Sequence, residues 1–207
     1  MTHTTQPRLA ILGSGKGSNF VAIADAIAGG SLVAEVAVVV SDVESAGILE
    51  HARQRGMRAE FLSPGRFRSK LDEETEQKLI ALLQEARANW VVLAGFMRIL
   101  KGEFLRHYEH RVVNIHPSLL PAFPGLEAWK QALEYGVKQT GCTVHLVDQG
   151  IDTGPIIAQE AVPVHGGDSA ETLHARIQLA ERRLYPVALR DLLTGRVRIE
   201  GRRTFAV

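Results

Sequence analysis

Short apolar runs alternate with helical segments along most of this chain, and that alternation limits its fold more than any other feature. The runs are "RLAILGS", "VAEVAVVVSD", "MRAEFL", "NWVVLAGF" and "RVVNIH". Several are continuous rather than alternating, as expected of strands covered on both faces. Between them lie "SNFVAIADAIAGG", "SAGILEHARQRG", a long charged stretch over 68–88, and "GEFLRHY", all with helical spacing. This order predicts an α/β fold: a Rossmann-like, mostly parallel twisted sheet with helices on both faces. The pattern then changes. After a helix over "LEAWKQALEYG" come "GCTVHLVD" and "GPIIAQEAVPV", two strands too close together for a helical crossover. They predict an antiparallel C-terminal extension of the sheet. A helix over 169–194 and a hairpin in "RVRIEGRRTFAV" complete the reading. With no repeat, low-complexity tract or evident linker, the expectation is a single domain over 1–207, with 1–7 as a flexible tail.

Bulk properties narrow the function classes. The 207 residues include 24 basic and 23 acidic side chains, a formal net charge of +1, so no footprint for nucleic acid or an anionic membrane surface is expected. No apolar run reaches the roughly 18 residues that span a bilayer. The start, "MTHTTQPR", lacks a hydrophobic signal core. A lone cysteine, Cys142, excludes an internal disulfide framework and fits a reducing, cytoplasmic setting.

Four stretches could carry chemistry. "LGSGKGSN", residues 12–19, joins the first strand to the first helix, where glycines expose backbone N–H groups to a phosphate. The alternative is a plain turn with Ser18 or Asn19 as helix cap. The loop lacks the spacing of a Walker A motif. As a dinucleotide fingerprint it offers Gly13 and Gly15 but has Ser18 at the third glycine position; Asp42, ending the second strand, keeps a ribose-binding role open.

"NIHPSLLPAFPG" puts two polar groups at the end of an apolar strand. Asn114 and His116, two apart, share one face, and Pro117 holds His116 extended. In open parallel sheets the carboxyl ends of strands are where ligands bind. "DQGIDTGPII" offers Asp152 on a glycine-flanked turn; its reading as a turn aspartate yields to a functional one only if it partners His116. In "LAGFMRIL", Met97, Ile99 and Leu100 at a strand end suit a flat aromatic ligand, or simply pack. His107 and His110 have helical spacing but no third metal ligand, and Ser118 beside His116 lacks a nucleophile elbow.

Taken in order and spacing, "GSGKGSN", "VVLAGFMRIL", "NIHPSLLPAFPG" and "DTGPII" resemble the folate-dependent formyltransferases, and among them the branch acting on glycinamide ribonucleotide. The resemblance covers about residues 8 to 195. It implies transfer of the formyl group of 10-formyltetrahydrofolate, a co-substrate, to the amine of glycinamide ribonucleotide in purine synthesis, without a metal. It implies a phosphoribosyl side in the N-terminal half and a folate side in the C-terminal half. By resemblance, Asn114, His116 and Asp152 are the catalytic trio. Gly15, Lys16, Gly17, Ser18 and Asn19 hold the substrate phosphate, with Lys70 and Gln178 nearby and Glu181 on the ribose hydroxyls. Met97, Arg98, Ile99 and Leu100, with His145, Asp148, Ile151 and Asp152 of the following loop, enclose the folate. Glu127 and Trp129 depart from the pattern, standing where relatives carry histidines. The implied partners are small molecules, with no nucleic acid or membrane, and a monomer or weak homodimer. Neither an RNA-binding appendage nor an N-terminal regulatory domain is expected, which sets aside the tRNA-acting and hydrolytic branches. A nicotinamide reductase built on Gly13, Gly15 and Asp42 would leave "NIHPSLLP" and "DTGP" without a role.

Overall fold

A computed structural model describes residues 6–207. Of the tail expected over 1–7, residues 1–5 lie outside the described residues, while the Pro7 carbonyl accepts the Glu35 N–H at 2.8 Å. The larger sheet has seven strands in the order β3-β2-β1-β4-β5-β6-β7, and β8 and β9 form a separate pair. The chain divides into two compact units, Met1–Val113 and Asn114–Val207, with the division falling inside β5 (Val112–His116).

The first unit is built from β1 (Arg8–Leu12), α1 (Ser18–Ala28), β2 (Glu35–Ser41), α2 (Gly47–Gln54), β3 (Ala59–Phe61), α3 (Glu73–Glu85), β4 (Trp90–Leu93) and α4 (Gly102–His107). β1 pairs in parallel with β2 on one side and β4 on the other, and β2 with β3. The strands run continuously apolar because both faces are covered: Leu9 to Leu12, Val38 to Val40, Val91 and Val92 are all buried. Phe20 and Ile23 of α1, Ile48 and Leu49 of α2, and Leu79 and Leu83 of α3 supply the rest of this core. Each such side chain contributes about 1.5–3 kcal/mol by leaving water.

The helix expected over 68–88 is shorter than predicted. It starts at Glu73 because Asp72 caps it, its carboxylate accepting the Thr75 N–H at 3.0 Å and the Arg66 N–H at 3.1 Å. Those bonds hold the Asp72 carboxyl down at about 2, below its ordinary 3.8. Residues 68–70 have other bonding: the Arg68 carbonyl accepts from Arg98, and Lys70 forms a parallel bridge with Ile99.

The second unit carries α5 (Ala128–Tyr135), β6 (Gln139–Leu146), β7 (Ile156–Pro163), α6 (Ala170–Leu193), β8 (Val197–Glu200) and β9 (Arg203–Ala206). β6 and β7 pair antiparallel, as their short connection requires, and α6 packs on both. Ser169 and Thr172 form a reciprocal capping box that fixes the start of α6. The hairpin expected at the end exists as β8 and β9, joined by Gly201 and Arg202. The α/β class and the antiparallel extension are therefore as read from the sequence. Among the described residues, no helix is long and apolar enough to cross a membrane.

Candidate active site

In the second unit, the last residues of β5, the end of β6 and the loop after β6 bring four polar side chains together. Asn114 donates from Nδ2 to His145 Nε2 across 3.2 Å. His145 is 1% exposed, and its Nδ1 donates to the Leu146 carbonyl at 2.8 Å. That bond places the ring proton on Nδ1 and leaves Nε2 as acceptor for the Asn114 amide. Burial pushes the His145 pKa below the ordinary 6.5, keeping the ring neutral. A neutral His145 thus fixes which way the Asn114 carboxamide faces.

His116 is 4% exposed. Its Nδ1 lies 3.4 Å from Asp152 Oδ2 and its Nε2 lies 2.9 Å from the Phe123 carbonyl. Both ring nitrogens face oxygen acceptors, an arrangement that suits the doubly protonated imidazolium. Asp152 Oδ2 also accepts the Gly125 N–H at 2.8 Å, and Oδ1 lies 3.7 Å from His145 Nε2. Strand alternation therefore does what the sequence predicts: Asn114 and His116 reach into the same cluster. Asp152 lies within ion-pair reach of His116, the pairing on which its functional reading depends.

The backbone here is held in uncommon conformations. Phe123, Glu127 and Asp152 all have φ of 53°, in the left-handed region. Thr143 pins the proline-rich loop, donating to the Ser118 carbonyl at 2.7 Å and accepting the Leu120 N–H at 3.0 Å. Ser118 Oγ donates to the Ala122 carbonyl at 2.5 Å, so it serves the loop, and the Ser-His hydrolase reading loses its nucleophile. Asp148 accepts the Gly150 N–H and the Thr153 hydroxyl, shaping the 148–154 loop from within; Ile151 on that loop is 51% exposed. Gly154 closes it with no room for a side chain, since a Cβ there would lie 1.8 Å from the Leu146 carbonyl oxygen.

On α6, Glu181 is 6% exposed and Gln178 lies one turn before it. Gln178 Nε2 is 3.4 Å from His174 Nε2, and the His174 ring stacks on Trp129 at 3.7 Å between centroids. Trp129, a departure from the family pattern, therefore supports the helix that carries Gln178 and Glu181. The other departure, Glu127, pairs with Lys130.

The first unit holds the glycine loop. Gly17 has φ of 80° and is the N-terminal boundary residue of α1; a Cβ there would lie 2.7 Å from Ile48 Cα. No side chain caps this helix start, so neither Ser18 nor Asn19 acts as the cap. Gly15 and Lys16 are exposed, Ser18 half-buried, and Asn19 buried. The 97–100 segment is less exposed than expected of an open aromatic platform: Met97 is 57% exposed, Ile99 half-buried, and Leu100 only 4%. Arg98 turns its guanidinium inward, donating to Asp42 Oδ2 at 2.6 Å and to the Phe67 and Arg68 carbonyls. Lys70 sits over the Phe67 ring at 4.5 Å.

With one Asp42 oxygen on Arg98 and the other on Ser14, the carboxylate serves the protein's own loops, which weighs against the dinucleotide reading. His107 pairs with Gln84 and His110 with Glu109, and no group of three candidate metal ligands occurs among the described residues. Cys142, buried in β6, has its thiol pushed up to about 12 by burial and stays protonated. The sequence reading missed the side-chain roles of His145 and Asp42. The signal for His145 was the same as for Asn114: a polar residue inside an apolar strand.

Residues 7–189 match the formyl transferase family. The chain is 41% identical over 191 residues to the phosphoribosylglycinamide formyltransferase of Escherichia coli K12, covering 92% of this chain and 89% of that protein. It is 46% identical over 200 residues to the trifunctional purine biosynthetic protein adenosine-3 of Drosophila pseudoobscura, covering 96% of this chain but only 14% of that protein. Among solved structures, glycinamide ribonucleotide transformylase 1 from Symbiobacterium toebii superposes with a TM-score of 0.94 at 46% identity, covering 99% of this chain and 96% of that one.

Proposed function

The chain belongs to the formyl transferase family, and from that premise we propose that it moves the formyl group of 10-formyltetrahydrofolate to the primary amine of glycinamide ribonucleotide. The observation that carries this reading is the His116 ring between the Asp152 carboxylate and the Phe123 carbonyl, beside an Asn114 amide fixed by His145. Attack of the amine nitrogen on the formyl carbon produces a tetrahedral species with a negative oxygen and a positive nitrogen. The Asn114 amide, with one N–H on His145, has a second to donate to that oxygen, and the His116 imidazolium offsets its negative charge. Asp152 balances the imidazolium charge and assists the proton's passage from the attacking amine to the folate nitrogen as the old carbon–nitrogen bond breaks. The groups are held by the fold before substrate arrives, so little reorganisation is needed at the moment of reaction.

In this reading the substrate phosphate lies on the backbone of residues 15–19, whose Gly17 sits at a helix N-terminus where anions are favoured. Lys70, Gln178 and Glu181 complete the phosphoribosyl side. Met97 to Leu100 and His145 to Asp152 receive the folate, with Arg98 contributing through its backbone because its guanidinium is engaged by Asp42. Residues 1–207 act as one formyltransferase domain, as a monomer or weak homodimer, on small molecules in the cytoplasm and without a metal.

The test is direct. Purified protein is mixed with 10-formyltetrahydrofolate and glycinamide ribonucleotide while folate absorbance is followed, with a parallel sample lacking the ribonucleotide. Turnover only in the complete mixture supports transfer. Equal turnover in both makes water the acceptor, and none in either removes the proposal.

A further inference from the structure

The first unit contains a buried ionic cluster that the chemistry above does not use. Asp42 follows β2, and its side chain is 2% exposed. Its Oδ1 accepts the Ser14 hydroxyl at 2.5 Å, and its Oδ2 accepts Arg98 Nε at 2.6 Å. Ser14 Oγ in turn accepts the Met97 N–H at 2.9 Å, and the Ser14 N–H donates to the Gly95 carbonyl at 2.9 Å. Arg98, whose side chain is 15% exposed, also donates to the carbonyls of Phe67 and Arg68.

One carboxylate thereby organises three irregular stretches: the glycine loop, residues 67–70, and residues 97–100. Such stretches have no ladder of their own, so their polar groups need outside partners. A carboxylate only accepts hydrogen bonds, and both groups facing this one are donors, one of them charged. A buried pair of this kind is weak as a source of net stability but demanding of geometry, because loss of either member strands the other. That combination points to placement as its use.

We propose that Asp42 is a positioning residue: through Ser14 and Arg98 it locks the glycine loop to the 97–100 segment, so that ordering of either by its ligand favours the other. The identity of the two ligands, ribonucleotide phosphate and folate, rests on the proposed function; the lock itself does not. Coupling of this kind is reciprocal, each ligand tightening the other by the same factor.

The test uses Asp42→Asn in the full chain. The substitution keeps an acceptor for Ser14 but sets a neutral amide against Arg98. Amide hydrogen exchange is measured over 13–19 and 97–100, together with binding of each substrate alone and in the other's presence, and with kcat. The expected result is faster exchange in both segments, about tenfold weaker binding of both substrates, loss of their mutual enhancement, and kcat within about threefold of the parent. Faster exchange in one segment only, or in neither, overturns the proposal. So does a fall in kcat with unchanged affinities. Where Asp42→Asn does not fold, Ser14→Ala, which releases the Met97 N–H, should give the same paired loosening, and parent-like exchange in it overturns the proposal as well. Since exchange needs no ligand, a parent protein that binds neither substrate counts against the functional reading and leaves the lock to be judged on exchange alone.

Discussion

Asp152 Oδ2 sits 3.4 Å from His116 Nδ1 while accepting the Gly125 N–H at 2.8 Å, so a single carboxylate oxygen joins the imidazole to the loop beyond the prolines. The bond to Gly125 fixes the oxygen, and the oxygen fixes the ring. On the far side the Phe123 carbonyl faces Nε2. The protonated ring therefore has an acceptor on each side, and the neutral ring would leave one nitrogen lone pair facing an oxygen.

Asp152→Asn should keep the loop but remove the charge that supports the imidazolium. Turnover should fall by roughly a hundredfold, the scale of a single acid–base contribution, equal to about 2.7 kcal/mol of barrier. Steady-state kinetics with both substrates checks this. A near-normal rate would return Asp152 to the status of a turn residue.

Gly17→Ala should weaken ribonucleotide binding more than folate binding. Its φ of 80° is costly for any residue with a Cβ, and that Cβ would meet Ile48 Cα at 2.7 Å. The strain alone is about 1–3 kcal/mol, so the urea midpoint should drop as well. Separate titrations with each substrate decide the point; equal losses for both would contradict a dedicated phosphate role.

His145 gives the fold a pH dependence whose sign follows from its burial. Its folded pKa is depressed below the ordinary 6.5, so the unfolded chain binds a proton there more readily than the folded one. The His145 contribution is intact above about pH 6.5 and is lost as pH falls from there toward the depressed folded value. Unfolding midpoints of the parent and His145→Gln, measured from pH 8 to pH 5, should converge as the pH drops. A constant gap between them would mean that His145 titrates alike in both states.

What could be read from the sequence was local. The continuous apolar strands, the helix stops and the antiparallel pair followed from spacing, and Asn114 with His116 followed from period-two alternation. Helix α3 began five residues late because residues 67–70 answer to Arg98 and Ile99, about thirty residues further along the chain. The Asp42–Arg98 pair joins positions 56 apart and carries no local signal. Left-handed backbone at Phe123, Glu127 and Asp152 was equally hidden, because residues other than glycine adopt it only when the surroundings impose it. Distant partners of this kind decided both of the side-chain roles missed, those of Asp42 and His145.

The central claim is that His116 acts in the transition state and not in holding the fold or the ligands. His116→Ala removes a charge and a donor at the last residue of β5, after the buried apolar Val112, Val113 and Ile115. Single-turnover transfer under saturating substrates, measured on protein whose unfolding midpoint is recorded in parallel, tests the claim most directly. The account predicts a rate reduced by at least about a hundredfold, with substrate affinities and midpoint close to the parent. A variant that transfers formyl at the parent's rate while unfolding more easily would make His116 a structural histidine and contradict the account.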